Sequence, residues 1–340
     1  MRGEAPRLLA DIGGTNARFA LQTSGRPPAR YRVLKTADHP GLRGAIDHYL
    51  ALVRPAQKPK VAAVAVAAPV LGDAVALTNS SWSFSAAAVA RAAGLTRLHV
   101  LNDFEALAWA LGTFGRDGLH RMGRGRPVAK TPSAVFGPGT GLGVSCLVPG
   151  PDDEPVVLAS EGGHVSLAAG TAREAEMIAV LRARFGHVSA ERVLSGPGLA
   201  NIYAALAQLD ADASSAPMKP GAIARAARDG SNPRAREAVA MFSALAGQFA
   251  GDLALTFGAR GGVYVAGGVI PRLADAFDTR LFRRRFEAKG RFASWLRQVP
   301  TWLITHPRPA MPGLARYLDH VRTDDPERER RVTRASIRSR

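Results

Sequence analysis

The chain has 340 residues, of which 46% are apolar and 6% aromatic, with 35 glycines and one cysteine. This length exceeds one ordinary hydrophobic core, so we expect two α/β domains with a cleft, and disorder over the whole chain is excluded. The single cysteine, Cys146, excludes an intramolecular disulfide and a cysteine-cluster zinc site, and is consistent with a reducing cytoplasm.

The net charge of +17 raises nucleic acid or a membrane surface as candidate partners. The arginines are scattered, and their densest groups are residues 283–285 and the tail after Thr323, where acidic residues are interspersed. We interpret residues 322–340 as a basic, disordered tail, with a nucleic-acid arm as the alternative. No apolar stretch for a signal peptide precedes Asp11, and the apolar run 61–77 is short and broken by Pro69. We therefore expect a cytoplasmic protein without a membrane span.

In chain order, residues 7–21 predict a hairpin whose turn places Gly13 and Gly14 at positive φ. Apolar residues at helical spacing predict a helix over 41–53, and residues 61–70 predict a buried strand. An alanine-rich helix ending at Gly94 follows, and then a strand over 98–103 that leads directly into a helix over 104–111. Asp103 is thereby placed at a strand's carboxyl end, where α/β sheets present ligand-binding groups.

Residues 133–148 again predict a strand, a glycine-rich turn and a strand, so two related halves facing each other are expected. We predict helices over 171–185 and 234–258 and a strand over 261–269. Residues 206–233, rich in Asp, Ala, Ser, Pro and Gly, predict a loop with at most one short helix.

Two glycine-rich turns, 11–16 (DIGGTN) and 137–143 (GPGTGLG), indicate phosphate handling, because backbone N–H groups approach an anion where no Cβ intervenes. The second turn lacks the Rossmann spacing, and the chain has no Walker A segment. Each turn taken alone could be a structural hairpin, with Asp11 a turn former. Together they favour two arms around a polyphosphate.

Phosphoryl transfer to a hydroxyl needs a positioned carboxylate as base, and Asp103 is the candidate; its alternative role is the N-cap of the helix that follows. Binding a sugar needs several groups that pair with its hydroxyls. Glu161 and His164 in EGGH and Glu191 in HVSAER are candidates. His164 could instead be a core or surface residue, and Glu191 an exposed helical carboxylate pairing with Arg192 or His187.

The ordered set DIGGTNAR, VLNDFEA, GPGTGLG, EGGHVS, HVSAERVLSGPGL and AGGVIPR resembles the bacterial glucokinase family, in the non-zinc branch of the actin-like ATPase and hexokinase superfamily. The resemblance runs from about residue 8 to about residue 320. It implies an actin-like fold of two α/β domains: a small one of 1–112 plus about 304–321, and a large one of 113–303.

The resemblance also implies a reaction, the transfer of phosphate from ATP with Mg²⁺ to the 6-hydroxyl of glucose, with Asp103 as the catalytic base. The sugar would contact Asn102, Asp103, Glu161, His164 and Glu191. The phosphates would contact Asp11, Gly13, Gly14, Thr15, Asn16, Gly137, Gly139, Thr140 and Gly141, with Mg²⁺ near Asp11 through water and the adenosine against Gly267 and Gly268. A homodimer is expected by the same analogy.

Three features depart from the family pattern. Pro138 stands where a small residue is usual and removes one N–H donor. Arg316 and Tyr317 stand where small residues are usual in the last helix.

The alternatives to a glucokinase are a kinase for another hexose, or a sugar-sensing regulator with weak catalysis.

Overall fold

The computed structural model describes residues 5–78, 80–150, 154–211 and 216–321. The chain forms two compact units, one from the described residues up to Phe114 and from Pro307 onward, the other from Gly115–His306. The predicted tail 322–340 lies outside the described residues.

The strands and helices follow one another along the chain in a mixed α/β order. Up to Phe114 they are β1 (Arg7–Ile12), β2 (Asn16–Gln22), β3 (Ala29–Lys35), α1 (Leu42–Val53), β4 (Val61–Val66), β5 (Ala74–Ala76), β6 (Ser83–Ser85), α2 (Ala86–Ala93), β7 (Arg97–Asn102) and α3 (Asp103–Ala110). From Gly115 they are β8 (Leu119–Arg121), β9 (Ser133–Pro138), β10 (Leu142–Pro149), β11 (Pro155–Ser160), α4 (Ala172–Phe185), α5 (Gly196–Leu209), α6 (Pro220–Arg228), α7 (Pro233–Phe257), β12 (Gly262–Val265), α8 (Val269–Leu273), α9 (Thr279–Glu287), α10 (Ala293–Gln298) and β13 (Thr301–Ile304). The first unit then closes with α11 (Ala310–His320).

The first unit is built on a five-stranded sheet in the order β3-β2-β1-β4-β7. The hairpin β1–β2 and strand β3 are antiparallel, whereas β1, β4 and β7 run parallel. Alternate β1 residues Leu8, Ala10 and Ile12 pack in one cluster with α1, and Leu9 is fully buried on the opposite face. Because successive strand residues point to opposite faces and both faces are buried here, the central residues Leu8–Ala10 are all apolar.

Helix α11 packs closely against α3 in the first unit. A Cβ at Gly313 would overlap the carbonyl oxygen of Ala106, so only glycine permits this approach. Arg316 donates from Nη1 to the carbonyl oxygens of Trp109 (3.2 Å) and Leu111 (2.7 Å) at the end of α3. The arginine that departs from the family pattern therefore satisfies two carbonyls that the helix end leaves unpaired.

The second unit repeats the plan of the first with a six-stranded sheet in the order β11-β10-β9-β12-β13-β8. Its hairpin β9–β10 and strand β11 are antiparallel, and β9, β12 and β13 run parallel. The repeated strand, glycine turn and strand predicted from the sequence are confirmed as hairpins at equivalent places in the two sheets.

Helix α7 forms the centre of the second core and contacts α5, α6 and α9. It is long and apolar enough to cross a membrane, but 83% of its most apolar window is buried inside the fold, as expected of a core helix. Of the predicted arginine cluster, Arg283 donates to the carbonyl oxygen of Val299 (2.8 Å), and Arg285 donates from both Nη atoms to Glu174. These two arginines are structural and do not form a basic patch.

Several local predictions were wrong. Neither Gly13 nor Gly14 has a left-handed backbone, because the loop between β1 and β2 has three residues instead of two. The strand predicted over 261–269 ends at Val265, and the helix α8 occupies its last residue. The loop predicted over 206–233 with at most one short helix does hold one, α6, but its first residues belong to the end of α5, a helix that its Ser195 cap and Pro197 could have indicated.

Candidate functional site

Three hydrogen bonds hold the first glycine turn, Gly13–Thr15. The N–H of Gly13 donates to the Asn16 carbonyl (2.9 Å), while Thr36 donates from Oγ1 to the Gly14 carbonyl (2.8 Å) and from its N–H to the Thr15 carbonyl (3.0 Å). Within the described chain, the N–H groups of Gly14 and Thr15 make no hydrogen bond. The turn thus has unused donors and occupied acceptors, which suits an anion.

Asp11 lies at the end of β1, directly before this turn. Its Oδ2 lies 3.2 Å from Nη1 of Arg18, and its side chain is 20% exposed. Burial raises the pKa of Asp11, although Arg18 acts in the opposite direction. A bound cation would favour the ionised carboxylate that burial disfavours. Among the described residues no three His, Cys, Asp or Glu side chains gather as a metal site, so any cation here needs ligands from its substrate and from water.

Asn102 and Asp103 lie at the junction of β7 and α3. The helix begins at Asp103, and its N-cap is Asn102, whose Oδ1 accepts from the N–H groups of Phe104 (2.8 Å) and Glu105 (3.4 Å). The alternative role of Asp103 as the N-cap is therefore wrong. Asp103 stands in the first turn of the helix, where the helix dipole favours its ionised form.

The parallel strands of the first sheet bring these groups to one edge. Ile12, Val66 and Asn102 stand at the same level in β1, β4 and β7. Two strand spacings separate the ends of β1 and β7, so Asp11 and Asp103 lie on the order of 10 Å apart. The first glycine turn and the predicted base thus share the carboxyl edge of this sheet.

Glu105 is a half-buried carboxylate near Asp103 on the same helix. Burial raises the pKa of Glu105 to about 7. Reasoning from the sequence did not single it out, because the helical pattern FEALAWAL gives no signal of how deeply the first turn is buried.

The second glycine turn, Gly139–Gly141, joins β9 and β10 in the second unit. The Gly139 N–H donates to the Gly141 carbonyl (2.8 Å), and the Gly139 carbonyl accepts from the N–H of Gly196 (2.8 Å). In the part of the chain that the structure describes, the N–H groups of Thr140 and Gly141 make no hydrogen bond. Both turns therefore present two consecutive unpaired N–H groups.

The segment after β12 packs against this second turn. Gly267 has a φ of +83°, and a Cβ there would overlap the carbonyl oxygen of Pro138. Gly268 is the residue directly before α8. Pro138 is buried as the last residue of β9, opposite Leu142, so the ring that departs from the family pattern stiffens the strand end and lies outside the turn itself.

Glu191 connects the second turn with the EGGH segment. Its Oε2 accepts from the N–H of Leu142 (2.9 Å), and its own N–H donates to the Gly163 carbonyl (2.9 Å). A Cβ at Gly141 would overlap Oε2 of Glu191, and a Cβ at Gly163 would overlap the Leu142 carbonyl. Glu191 is half-buried and lies outside any helix, so its interpretation as an exposed helical carboxylate is wrong.

Glu161 directly precedes a short 3-10 turn, Gly162–His164, and His164 is its last residue. Their side chains are 64% and 60% exposed, and His164 Nε2 lies 3.9 Å from Glu161 Oε2. His164 is thus not a core residue. Both side chains keep polar atoms available beside Glu191, on a segment whose glycines permit its close approach to the second turn.

The predicted residues fall into two groups. The first unit brings together Asp11, Gly13, Gly14, Thr15, Asn16, Asn102 and Asp103, and the second unit brings together Gly137, Gly139, Thr140, Gly141, Glu161, His164, Glu191, Gly267 and Gly268. Three residues that hold these groups were missed: Thr36, Arg18 and Gly196. Arg18 and Gly196 lie in the quoted DIGGTNAR and SGPG segments, whereas Thr36 carried no signal in the sequence.

Comparisons with known proteins cover nearly the whole chain. The profile of the Glucokinase family matches residues 8–321. The glucokinase of Paramagnetospirillum magneticum is 51% identical over 308 residues, which are 91% of this chain and 96% of that protein. The chain belongs to the glucokinase family.

Solved structures share the fold of this chain. The crystal structure of a glucokinase from an Antarctic psychrotroph has a TM-score of 0.85 and 37% identity, covering 93% of this chain and 99% of that one. A glucokinase from Streptomyces griseus, solved with glucose and AMPPNP, has a TM-score of 0.58 and 20% identity, covering 93% and 98%. The actin-like ATPase fold that the motifs predicted is confirmed.

Proposed function

We propose that this protein transfers a phosphoryl group from ATP to the 6-hydroxyl of glucose, with Asp103 as the general base. The observation that carries the proposal is the glucokinase family match over residues 8–321, which spans every motif described above. The relatives' names supply the substrate, and AMPPNP in the Streptomyces griseus structure points to ATP as the donor.

We assign the sugar hydroxyls to Asn102, Asp103, Glu161, His164 and Glu191. The Oδ1 of Asn102 is occupied by the helix cap and its Nδ2 donates to the Ala68 carbonyl (3.2 Å), which leaves one N–H for the sugar. Glu191 likewise has one carboxylate oxygen on the Leu142 N–H and the other for a hydroxyl. Residues fixed in this way contact a sugar with little loss of side-chain freedom.

The base acts at the first step of the transfer. Asp103 accepts the proton of the 6-hydroxyl as that oxygen attacks the γ-phosphorus in line, and the bond to the leaving nucleotide breaks. Asp103 lies in the first turn of α3, where the helix dipole interacts favourably with a negative charge. Asn102 fixes the start of the helix and thereby the position of Asp103.

The phosphates are assigned to the two glycine turns, each with two unpaired N–H groups, and the adenosine to Gly267 and Gly268. Mg²⁺ fits at Asp11, because this ion commonly binds through one carboxylate, substrate phosphates and water, and because a cation in addition to Arg18 would favour the ionised carboxylate that burial disfavours. When bound, it neutralises charge on the phosphates. Asp11 orients it, and the turn N–H groups orient the phosphates.

The units built on the two sheets are proposed to be the two domains of the actin-like fold, with the boundaries near residues 112 and 304. We propose that the enzyme acts in the cytoplasm as a homodimer. Light scattering at working concentration tests the dimer, since a monomer mass would exclude it.

The decisive experiment on the base is Asp103→Asn. We expect turnover to fall about 10²- to 10⁴-fold, the usual contribution of a general base, while glucose binding measured by calorimetry persists. Asp47→Asn removes an exposed carboxylate of the same unit, paired with Arg43 at 2.7 Å, and should leave both quantities unchanged. Near-normal turnover in Asp103→Asn would remove this residue from the role.

The choice of glucose over other hexoses is tested with the unaltered enzyme. A coupled assay over glucose, mannose, fructose and N-acetylglucosamine should give the largest kcat/KM with glucose, because specificity depends on the pairing of individual hydroxyls. A larger value for another sugar would replace glucose as the substrate while leaving the proposed base intact.

A further inference from the structure

A surface pocket of about 420 Å³ lies in the second unit, away from the glycine turn. It is lined by Gly125, Arg126, Pro127, Val128, Arg260, Arg297, Gln298 and Val299, and we call it the arginine pocket. Its residues precede the parallel strands β9, β12 and β13, whereas the glycine turn and Gly267 follow the carboxyl ends of β9 and β12. The arginine pocket therefore lies at the opposite edge of the sheet.

The charge of the pocket is of one sign. Three of its eight lining residues are arginines and none is acidic. Arg126, Arg260 and Arg297 are exposed, and within the described residues none of their guanidinium groups has an ion pair or a hydrogen bond. Three unpaired like charges around one concavity repel one another unless an anion binds between them.

The hydrogen-bonding capacity of the pocket is equally one-sided. Six of the eight lining residues have a carbonyl oxygen that already accepts a hydrogen bond. Side chains donate to four of these carbonyls: Arg121 to that of Gly125, Thr131 to that of Val128, and Arg283 to those of Arg297 and Val299. Backbone N–H groups donate to the other two: that of Val128 to the Arg260 carbonyl and that of Arg126 to the Gln298 carbonyl. With acceptors occupied and guanidinium donors unused, the pocket suits a ligand rich in acceptors.

The frame of the pocket is fixed before any ligand binds. Gly125 has a φ of +111°, and a Cβ there would overlap the carbonyl oxygen of Gln298. The N–H groups of Arg126 and Val128 tie the same segment to Gln298 (3.3 Å) and Arg260 (3.0 Å). A preformed site loses little free energy to ordering on binding.

We propose that the arginine pocket binds a small anion that carries two or more phosphate groups. The volume falls in the range of small-molecule sites. A guanidinium group offers two parallel N–H donors that match phosphate oxygens, so three of them around one cavity favour more than one phosphate. Because the pocket lies at the far edge of the sheet, its ligand does not compete with the groups at the glycine turn.

The test uses the full chain and inorganic tripolyphosphate as the probe. Binding is measured by calorimetry with and without a saturating non-hydrolysable ATP analogue. We expect one binding event to persist in the presence of the analogue. In a variant with Arg126→Ala, Arg260→Ala and Arg297→Ala, we expect its affinity to fall more than about tenfold, since charge-assisted hydrogen bonds are lost.

A matched control carries Arg26→Ala, Arg182→Ala and Arg225→Ala, which removes the same charge from exposed sites elsewhere and should leave this binding unchanged. Equal weakening in the control, or loss of all binding when the analogue is present, overturns the proposal. If melting curves show that the triple variant is unfolded, Arg297→Gln alone replaces it, with an expected loss of about threefold.

Two further probes identify the chemistry. Citrate offers carboxylates of similar charge, and binding equal to that of tripolyphosphate would show that the pocket recognises charge and not phosphate, against the proposal. A short DNA duplex tests a polymer: tighter binding of the duplex through the same three arginines would overturn the assignment to a small ligand.

Discussion

Glu174 and Arg285 form a buried ion pair whose disruption should cost the second unit much of its stability. Arg285 donates from Nη1 (2.9 Å) and Nη2 (2.8 Å) to the two carboxylate oxygens, and Gly170 donates its N–H to Oε2 (2.7 Å). The side chains are 4% and 14% exposed. Glu174→Gln keeps the shape but places an amide donor against the guanidinium and leaves its charge without a counterion. We expect a loss of about 3 to 5 kcal/mol.

The assay is urea unfolding together with native-state hydrogen exchange over residues 165–175, which isolates this unit from the other. Glu176→Gln on the same helix is the control: its side chain is 57% exposed and lies 3.8 Å from Arg173, so we expect less than about 0.5 kcal/mol. Combining Glu174→Gln with Arg285→Leu should cost less than the sum of the single changes. A loss below about 1 kcal/mol for Glu174→Gln, or strict additivity, would refute the reasoning.

Three further predictions concern the first unit. Burial raises the pKa of Glu105 from its ordinary 4.5 to about 7, so the folded state is penalised increasingly as pH rises between these values. Glu105→Gln should therefore stabilise the enzyme by up to about 3 kcal/mol in thermal melts at pH 8.5 and hardly at pH 5; the same gain at both would contradict this. Gly313→Ala should lower the melting temperature and turnover together, because the new Cβ meets the Ala106 carbonyl and displaces the helix that carries the proposed base. Gly221→Ala in α6 of the second unit is the control: its Cβ would make only an ordinary contact with Nη1 of Arg225 at 3.9 Å, so it should be neutral or stabilising. Burial also raises the pKa of Asp11, so its ionised carboxylate destabilises the folded state at neutral pH. Asp11→Asn should therefore raise the melting temperature at pH 7.5 while reducing turnover. A lower melting temperature would show that the buried charge of Asp11 is not destabilising.

The fold and the family could be predicted from the sequence, because their signals are local and ordered. The hairpin at each glycine turn, the helix ending at Gly94 and the strand leading into Asp103 depend on nearest-neighbour chemistry, and the family and fold assignments are confirmed. The roles of the individual site residues stay predictions, and the experiments on Asp103 and Asp11 address two of them.

What could not be predicted depends on contacts between residues distant in sequence. Thr36 holds the carbonyls of a turn more than twenty residues earlier, and Arg316 holds the end of a helix more than two hundred residues earlier. Arg285 stands in a dense arginine group in the sequence, which gives no sign that its partner is Glu174. Composition gives the number of charged residues but not their partners. In a strongly basic chain it therefore does not show which arginines are structural and which are unpaired.

Glu191 shows how such a contact changes the meaning of a predicted role. The sequence offered two separate alternatives, a sugar ligand or an exposed charge, whereas the structure places one carboxylate oxygen on the N–H of Leu142 at the end of the glycine turn. A sugar hydroxyl bound by the second oxygen would contact the same carboxylate that the Leu142 N–H holds. The N–H of Glu191 also donates to the Gly163 carbonyl in the EGGH segment. Any sugar that moves Glu191 must therefore also move the glycine turn assigned to the phosphates. Under the proposed assignments, one side chain of the second unit thus links the sugar site to the turn assigned to the phosphates.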